Sequence, residues 1–151
     1  CVRAPSDYTR AMILLDTNVF IYASDTRSVH CRWARQTIAE AVAGEGAAVN
    51  AVTLAELCVG DAEPSTVADR VRGWGVEVLD IPSAVAEITA RAFVSYRNRR
   101  KRSTDRDVPS IPLPDFFIGA HAQGMGWTLA TADQDRYKTY FPKVRLKSPP
   151  A

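Results

Sequence analysis

Four acidic residues stand where an α/β fold builds its sites. Asp16 closes the apolar run ILLD, and Glu56 lies within AVTLAELCVG. Asp115 lies within PLPDFFIGAHA and Asp133 within TLATADQDRY. A carboxylate that directly follows an apolar run is costly to bury without a partner. Brought into one cleft, the four would also repel one another. Two such charges 4 Å apart cost roughly 4 kcal/mol at an effective dielectric of 20. Helix N-termini behind Glu56 and Asp115 offset part of this. A divalent cation offsets more, and an all-oxygen ligand set favours Mg²⁺ or Mn²⁺ over zinc. Neither His nor Cys falls near these positions with zinc-ligand spacing.

Each acid taken singly has a plainer reading. Asp16 can cap the turn into Val19. Glu56 follows Thr53 by three and can be the acid of a capping box. Asp115, after Pro114, suits the first turn of a helix, and Asp133 can cap the last one. What favours chemistry is the order of elements, which brings all four to one place.

Met12–Leu15 reads as a short buried strand, and Asn18 as the cap of a helical turn over Val19–Ala23. Ser28–Val42 has helical periodicity with Trp33, Ile38, Ala41 and Val42 on one face. Ala47–Val52 is a second strand, and Thr53–Gly60 a helix capped by Thr53. Pro64-Ser65 opens a short helix closed by Gly73 and Gly75, and Val76–Leu79 is a third strand. Pro82-Ser83 starts the longest helix, which ends in the basic run RNRRKR. Ser103–Pro112 is a polar loop. Pro114–Gly124 is a helix whose Gly119, Ala120 and Ala122 suit close packing. Trp127–Ala130, Asp133–Tyr140 and Val144–Leu146 follow as strand, helix and strand. This alternation implies a doubly wound, mostly parallel sheet of about five strands with helices on both faces. Such sheets bind ligands beyond the carboxyl ends of their strands, which is where the four acids fall.

The chain's 151 residues are 46% hydrophobic and 24% charged, the composition of a single globular domain. Its apolar runs are too short to span a bilayer, and a cytoplasmic location is the expectation. Three cysteines without metal-ligand spacing (Cys1, Cys31, Cys58) fit a reducing compartment, with Cys58 as core filler. A net charge of +2 does not argue for nucleic acid by itself. Arg97–Arg102 and the Lys138, Lys143, Arg145, Lys147 group are either phosphate-attracting patches or solvated surface. Residues 1–11 lack apolar periodicity and read as an extension or expression remnant, with residues 12–151 as the domain.

The motifs LLDTNVFIYA, AVTLAELCVG, PLPDFFIGAHA and TLATADQDRYKTYFPKVRL together resemble PIN-domain ribonucleases, and most of all the VapC-type toxins of bacterial toxin–antitoxin pairs. The resemblance runs from Met12 to about Leu146 and implies a PIN-like three-layer α/β/α fold. It maps the catalytic, metal-binding constellation onto Asp16, Glu56, Asp115 and Asp133, with Thr17, Asn18 and Thr131 as supporting polar groups. One or two Mg²⁺ or Mn²⁺ ions, RNA substrates (tRNA, rRNA or mRNA), 5′-phosphate products, a VapB-type antitoxin and a homodimer are likewise implied. Many relatives carry a basic residue where this chain has Ala132. On this reading Arg99, Arg100 and Lys101 contact phosphates, and Phe116, Tyr137 and Tyr140 stack exposed bases. Phe117 is expected in the core, and His30 and His121 in structural roles. Two alternatives stand beside the nuclease. One is a receiver-type signalling domain with Asp80 as phosphoacceptor after the third strand. The other is a PIN-like module that only binds protein.

Overall fold

The apolar run at the start of the domain becomes the middle strand of the sheet. In the computed structural model, which describes residues 10–103 and 108–151, strand β1 (Ile13–Leu15) leads into helices α1 (Thr17–Ser24) and α2 (Cys31–Ala43). Strand β2 (Ala47–Asn50) runs straight into α3 (Ala51–Val59). A 3₁₀ turn at Pro64–Thr66 precedes α4 (Val67–Gly73) and strand β3 (Glu77–Leu79). A second 3₁₀ turn at Ser83–Val85 opens the long helix α5 (Ala86–Ser103). Then come α6 (Pro114–Met125), β4 (Thr128–Ala130), α7 (Gln134–Tyr140) and β5 (Leu146–Lys147). Among the described residues the sheet has five strands in the order β3-β2-β1-β4-β5, every pairing parallel.

Alternation along the strands divides the core in two. Leu14, Ala48 and Leu129 face a layer built from α5, α6 and α7, where they meet Phe93, Phe116 and Tyr137. Leu15, Ala47, Val49 and Ala130 face α1, α2 and α4, meeting Phe20, Ile38 and Val71. Coverage on both faces explains why these strands read as unbroken apolar runs. Gly119 lets α6 approach Phe141, because a Cβ there would overlap the aromatic ring. Gly126 ends α6 in the left-handed conformation (φ 68°), with its N–H directed at Ala122 O and Gln123 O. Among the described residues, no helix is long and apolar enough to cross a membrane.

Two helix caps differ from those expected. Asp16, not Asn18, caps α1, because its carboxylate accepts from the Thr17 N–H directly after the strand. Asn50, not Thr53, caps α3, its Oδ1 accepting from the N–H groups of Val52 and Thr53, both at 3.1 Å. Ala51 and Val52 therefore belong to a helix rather than a strand. Glu56 falls in the second turn of α3 and takes no part in a capping box. Asp133 occupies the cap position of α7 but makes no side-chain cap bond. Cys58 sits at the margin of the second core cluster, partly exposed, with Sγ 3.6 Å from Pro64 O. Arg10 is already docked against the domain, its carbonyl accepting from Trp127 Nε1 at 2.9 Å.

The strand order decides against a receiver-type domain. In the doubly wound order 2-1-3-4-5 of such domains, the third strand lies beside the first. Here β3 is an edge strand separated from β1 by β2, so Asp80 and Asp16 do not share a crevice. The chain leaves β1 toward β2 on one side and returns to β4 on the other. The switch point thus opens between the carboxyl ends of β1 and β4.

Candidate active site

Asp16 emerges from the central strand into that switch point. Its backbone N–H donates to Ala130 O at 2.9 Å, which ties it to β4. The side chain is 4% exposed and surrounded by donors. Oδ1 accepts from the Thr17 N–H at 2.8 Å. Oδ2 accepts from the Thr131 hydroxyl at 2.8 Å, the Tyr137 hydroxyl at 3.0 Å and the Asn18 amide at 3.3 Å. Burial nevertheless dominates and pushes the Asp16 carboxyl up to about 6. The hydrogen bond from Thr131 opposes the rise and the negative charge of Asp115 adds to it.

Thr131 is the hub of this arrangement. A hydroxyl has one proton to give and two lone pairs to receive. Thr131 gives its proton to Asp16 and accepts from the Asp133 N–H at 3.0 Å and the Asn18 amide at 3.3 Å. Asn18 closes the loop, its Oδ1 accepting from the Ala132 N–H at 3.1 Å. The start of α1 and the turn after β4 are therefore stitched together by side chains more than a hundred residues apart.

Asp115, in the first turn of α6, lies on the far side of the Tyr137 hydroxyl. That hydroxyl donates to Asp16 and also stands close enough to Asp115 to lower its pKa slightly. Burial is the main cause that raises the Asp115 carboxyl. The Arg136 guanidinium, 2.7 Å from Oδ2, opposes the rise, and the charge of Asp133 adds to it. Glu56 enters from α3, its Oε1 accepting from the Thr17 hydroxyl at 2.7 Å. All four acids therefore reach the same edge of the sheet. Asp16 and Asp115 share a neighbouring hydroxyl, Asp133 is coupled to Asp115 electrostatically, and Glu56 is joined to Asp16 through Thr17.

The PIN domain family profile matches residues 13–142. The chain belongs to the PIN domain family. Similar solved structures include the DNA-bound VapBC of Salmonella typhimurium, at 22% identity and a TM-score of 0.61, covering 91% of this chain and 98% of that one. FitAcB of Neisseria gonorrhoeae matches at 23% identity and a TM-score of 0.59, with the same coverage. A toxin–antitoxin complex from Klebsiella pneumoniae matches at 26% identity and 0.56, covering 87% of this chain and 94% of that one. No curated protein sequence matches the chain.

For a PIN domain the next question is whether these residues suit a divalent cation. Among the described residues, no three His, Cys, Asp or Glu side chains are gathered tightly enough to hold a metal ion between them. Mg²⁺, however, keeps most of its water and is commonly bound through one or two carboxylates. Asp16 and Asp115 fit that demand. They are oxygen donors, and each has a carboxyl raised by burial and by a neighbouring acid. That is the electrostatic debt a cation relieves. Glu56 is half-buried and Asp133 exposed, so this pair faces water at the rim.

The expected base-stacking aromatics are corrected. Phe116 and Tyr137 are fully buried, with Phe116 in ring contact with Phe93, Tyr96, Tyr140 and Phe141. Neither can receive a base. Phe117, expected in the core, is the partly exposed one of the α6 pair, since helical register turns Phe116 inward instead. Tyr140 is partly buried against Phe116 and Tyr96. Arg99, Arg100 and Lys101 lie exposed on the last turns of α5, where Arg100 packs over the Tyr96 ring at 5.9 Å. His121 is 1% exposed, with its ring packed 5.5 Å from that of Trp127. Because Asn50 Oδ1 is committed to capping α3, Asn50 Nδ2 donates to His121 Nδ1 at 3.3 Å, and burial lowers the imidazole to about 4.

Tyr137, expected to stack a base, instead donates a hydrogen bond to Asp16, and Arg136, which no sequence feature singled out, neutralises Asp115. Tyr137 follows Asp133 by one helical turn, and that spacing could have suggested a shared site. Arg136 and Asp115 are 21 residues apart on different helices, and no local pattern predicts their pairing.

Proposed function

We propose that this PIN domain is a divalent-metal-dependent endoribonuclease and the toxin of a VapBC-type toxin–antitoxin pair. The observation that carries the reading is the buried Asp16 carboxylate at the switch point, held by four donors and facing Asp115 across the Tyr137 hydroxyl. A cap residue alone needs neither such burial nor an acidic neighbour. The toxin reading is supported by structural neighbours whose names describe VapBC, FitAcB and toxin–antitoxin complexes.

On this reading Asp16 and Asp115 hold the cation. When bound, it supplies positive charge to the scissile phosphate and eases deprotonation of an attacking water. Thr17, Asn18 and Thr131 keep the carboxylates oriented, and Tyr137 fixes the Asp16 oxygen it touches. Glu56 and Asp133, at the wetter rim, orient the water. Its oxygen bonds to phosphorus, the bond from phosphorus to the 3′ oxygen breaks, and that oxygen takes a proton. The products carry a 5′-phosphate and a 3′-hydroxyl. Arg99, Arg100 and Lys101 attract the RNA backbone.

The antitoxin partner of this reading suits a cavity of about 560 Å³ between α1, α3 and α4. Phe20, Ile21, Leu57, Val71 and Trp74 line it, and Glu56 stands at its edge. An amphipathic segment with a basic residue directed at Glu56 matches that surface. The test is cleavage of a defined RNA by antitoxin-free protein with Mg²⁺ or Mn²⁺, with the new 5′ ends mapped. Cleavage is expected from the wild type and none from Asp16→Asn. Equal cleavage by the two proteins rules the assignment out, and a wild type that binds partner but never cuts RNA supports the protein-binding alternative.

A further inference from the structure

Arg136 is the residue of the cleft that neither the sequence nor the reaction scheme has accounted for. It sits beside Tyr137 in the middle of α7, and that helix is fixed in place by the Tyr137 bond to Asp16. Its guanidinium is held on two sides. Nη1 donates to Asp115 Oδ2 at 2.7 Å, and the carbon centre lies 5.8 Å from the centroid of the Tyr96 ring. About a third of the side chain is exposed. A guanidinium has five N–H donors in a planar fork, and among the described residues only one of them is engaged. Arg100, at the head of the basic end of α5, packs on the same Tyr96 ring at 5.9 Å. Two guanidinium groups, Arg100 from α5 and Arg136 from α7, therefore meet over one ring next to Asp115.

A structural ion pair on a surface does not need this arrangement. The side chain is partly open to solvent beside Asp115, and a planar fork held over an aromatic ring is suited to bidentate phosphate contact. Arg136 also occupies one of the two oxygens that a cation at Asp115 would use.

We propose that Arg136 is the phosphate-contacting residue of the cleft, resting on Asp115 until a divalent cation takes its place there and then turning its fork to the RNA backbone. The inference rests on the nuclease reading and adds a residue with two linked duties. Arg136 competes with the cation for Asp115, and it positions the substrate phosphate. Tyr96 keeps the guanidinium at the cleft in both conditions.

Two variants test this, Arg136→Gln, which removes charge and fork, and Arg136→Lys, which keeps the charge alone. Mn²⁺ binding to metal-free protein is measured by calorimetry. RNA binding is measured by fluorescence anisotropy in saturating Mn²⁺, with a cleavage-resistant phosphorothioate RNA, across a series of monovalent salt. With the competitor gone, Arg136→Gln should bind Mn²⁺ roughly three- to ten-fold more tightly. It should bind RNA more weakly, with the log–log salt slope shallower by about 0.7, the value of one phosphate contact on a single strand. Arg136→Lys should keep the slope and lose part of the affinity. A merely structural Arg136 would leave the salt slope of RNA binding unchanged in a folded variant. If the wild type binds Mn²⁺ and RNA but Arg136→Gln matches it in both, this inference fails and the nuclease reading stands. A wild type that takes up neither overturns both.

Discussion

Replacing Asp16 by Asn should make the protein more stable while abolishing its proposed chemistry. The Asp16 carboxyl is raised from 3.8 to about 6, chiefly by burial. At about 1.4 kcal/mol per pH unit, holding this group ionised at pH 7 costs the fold about 3 kcal/mol relative to its neutral form. Asn is neutral, nearly the same shape, and as good a helix cap as Asp. Its amide cannot accept from every donor that now surrounds the carboxylate, which returns about 1 kcal/mol. The net expectation is a gain of about 1–2 kcal/mol at pH 7, or a Tm higher by roughly 2–8 °C for a domain of this size. The pH dependence is sharper than the offset. Because the folded pKa lies above the unfolded one, the folded wild type takes up a proton more readily as pH falls through 6. It thereby regains the lost stability, fully so below 3.8. The advantage of Asp16→Asn should therefore shrink by about 3 kcal/mol between pH 7 and pH 3.8. Urea melts of metal-free protein across that range measure the difference directly. A variant that is less stable at pH 7, with a gap to wild type that does not change with pH, would refute the reasoning.

His121 acts with the opposite sign. Its folded pKa is lowered from 6.5 to about 4, so the stability it contributes is complete above 6.5 and is lost as pH falls toward 4, by up to about 3 kcal/mol. In the Asp16→Asn background, His121→Gln, which leaves Asn50 an acceptor, should flatten that acid limb in urea melts. A limb of unchanged steepness would assign the loss to other groups. Gly119→Ala drives a methyl into the Phe141 ring and should cost about 1–3 kcal/mol, readable as a lower urea midpoint with an unchanged m-value. Swapping Arg99, Arg100 and Lys101 for Ser should make the salt slope of RNA binding shallower by about 2, as read by anisotropy. An unchanged slope would move the footprint elsewhere.

The order of elements was legible because each strand is a short apolar run closed by a polar residue, and each helix shows a face. What was misread clusters at strand-to-helix junctions. Asp16, Asn18, Asn50 and Thr53 are all residue types that cap helices. The choice among them was made by where the buried backbone of β1 and β2 ends, which is a tertiary fact. Phe116 and Phe117 are adjacent and chemically identical, so only the rotation of α6 against Tyr96 and Phe141 decides which is buried. The acids could be placed together because parallel topology sends every strand end to one edge. The contacts that hold them, Tyr137 on Asp16 and Arg136 on Asp115, join different elements at separations of 121 and 21 residues. Spacing along the chain says nothing about such pairs.

The stitching of Asp16 to Thr131 and Tyr137, 115 and 121 residues downstream, has a bearing on how such a chain is made. During synthesis the first acid leaves the ribosome long before the hydroxyls that orient it exist. On the proposed nuclease reading, a partly translated chain carries the first acid without its geometry, and activity begins only when the final helix docks.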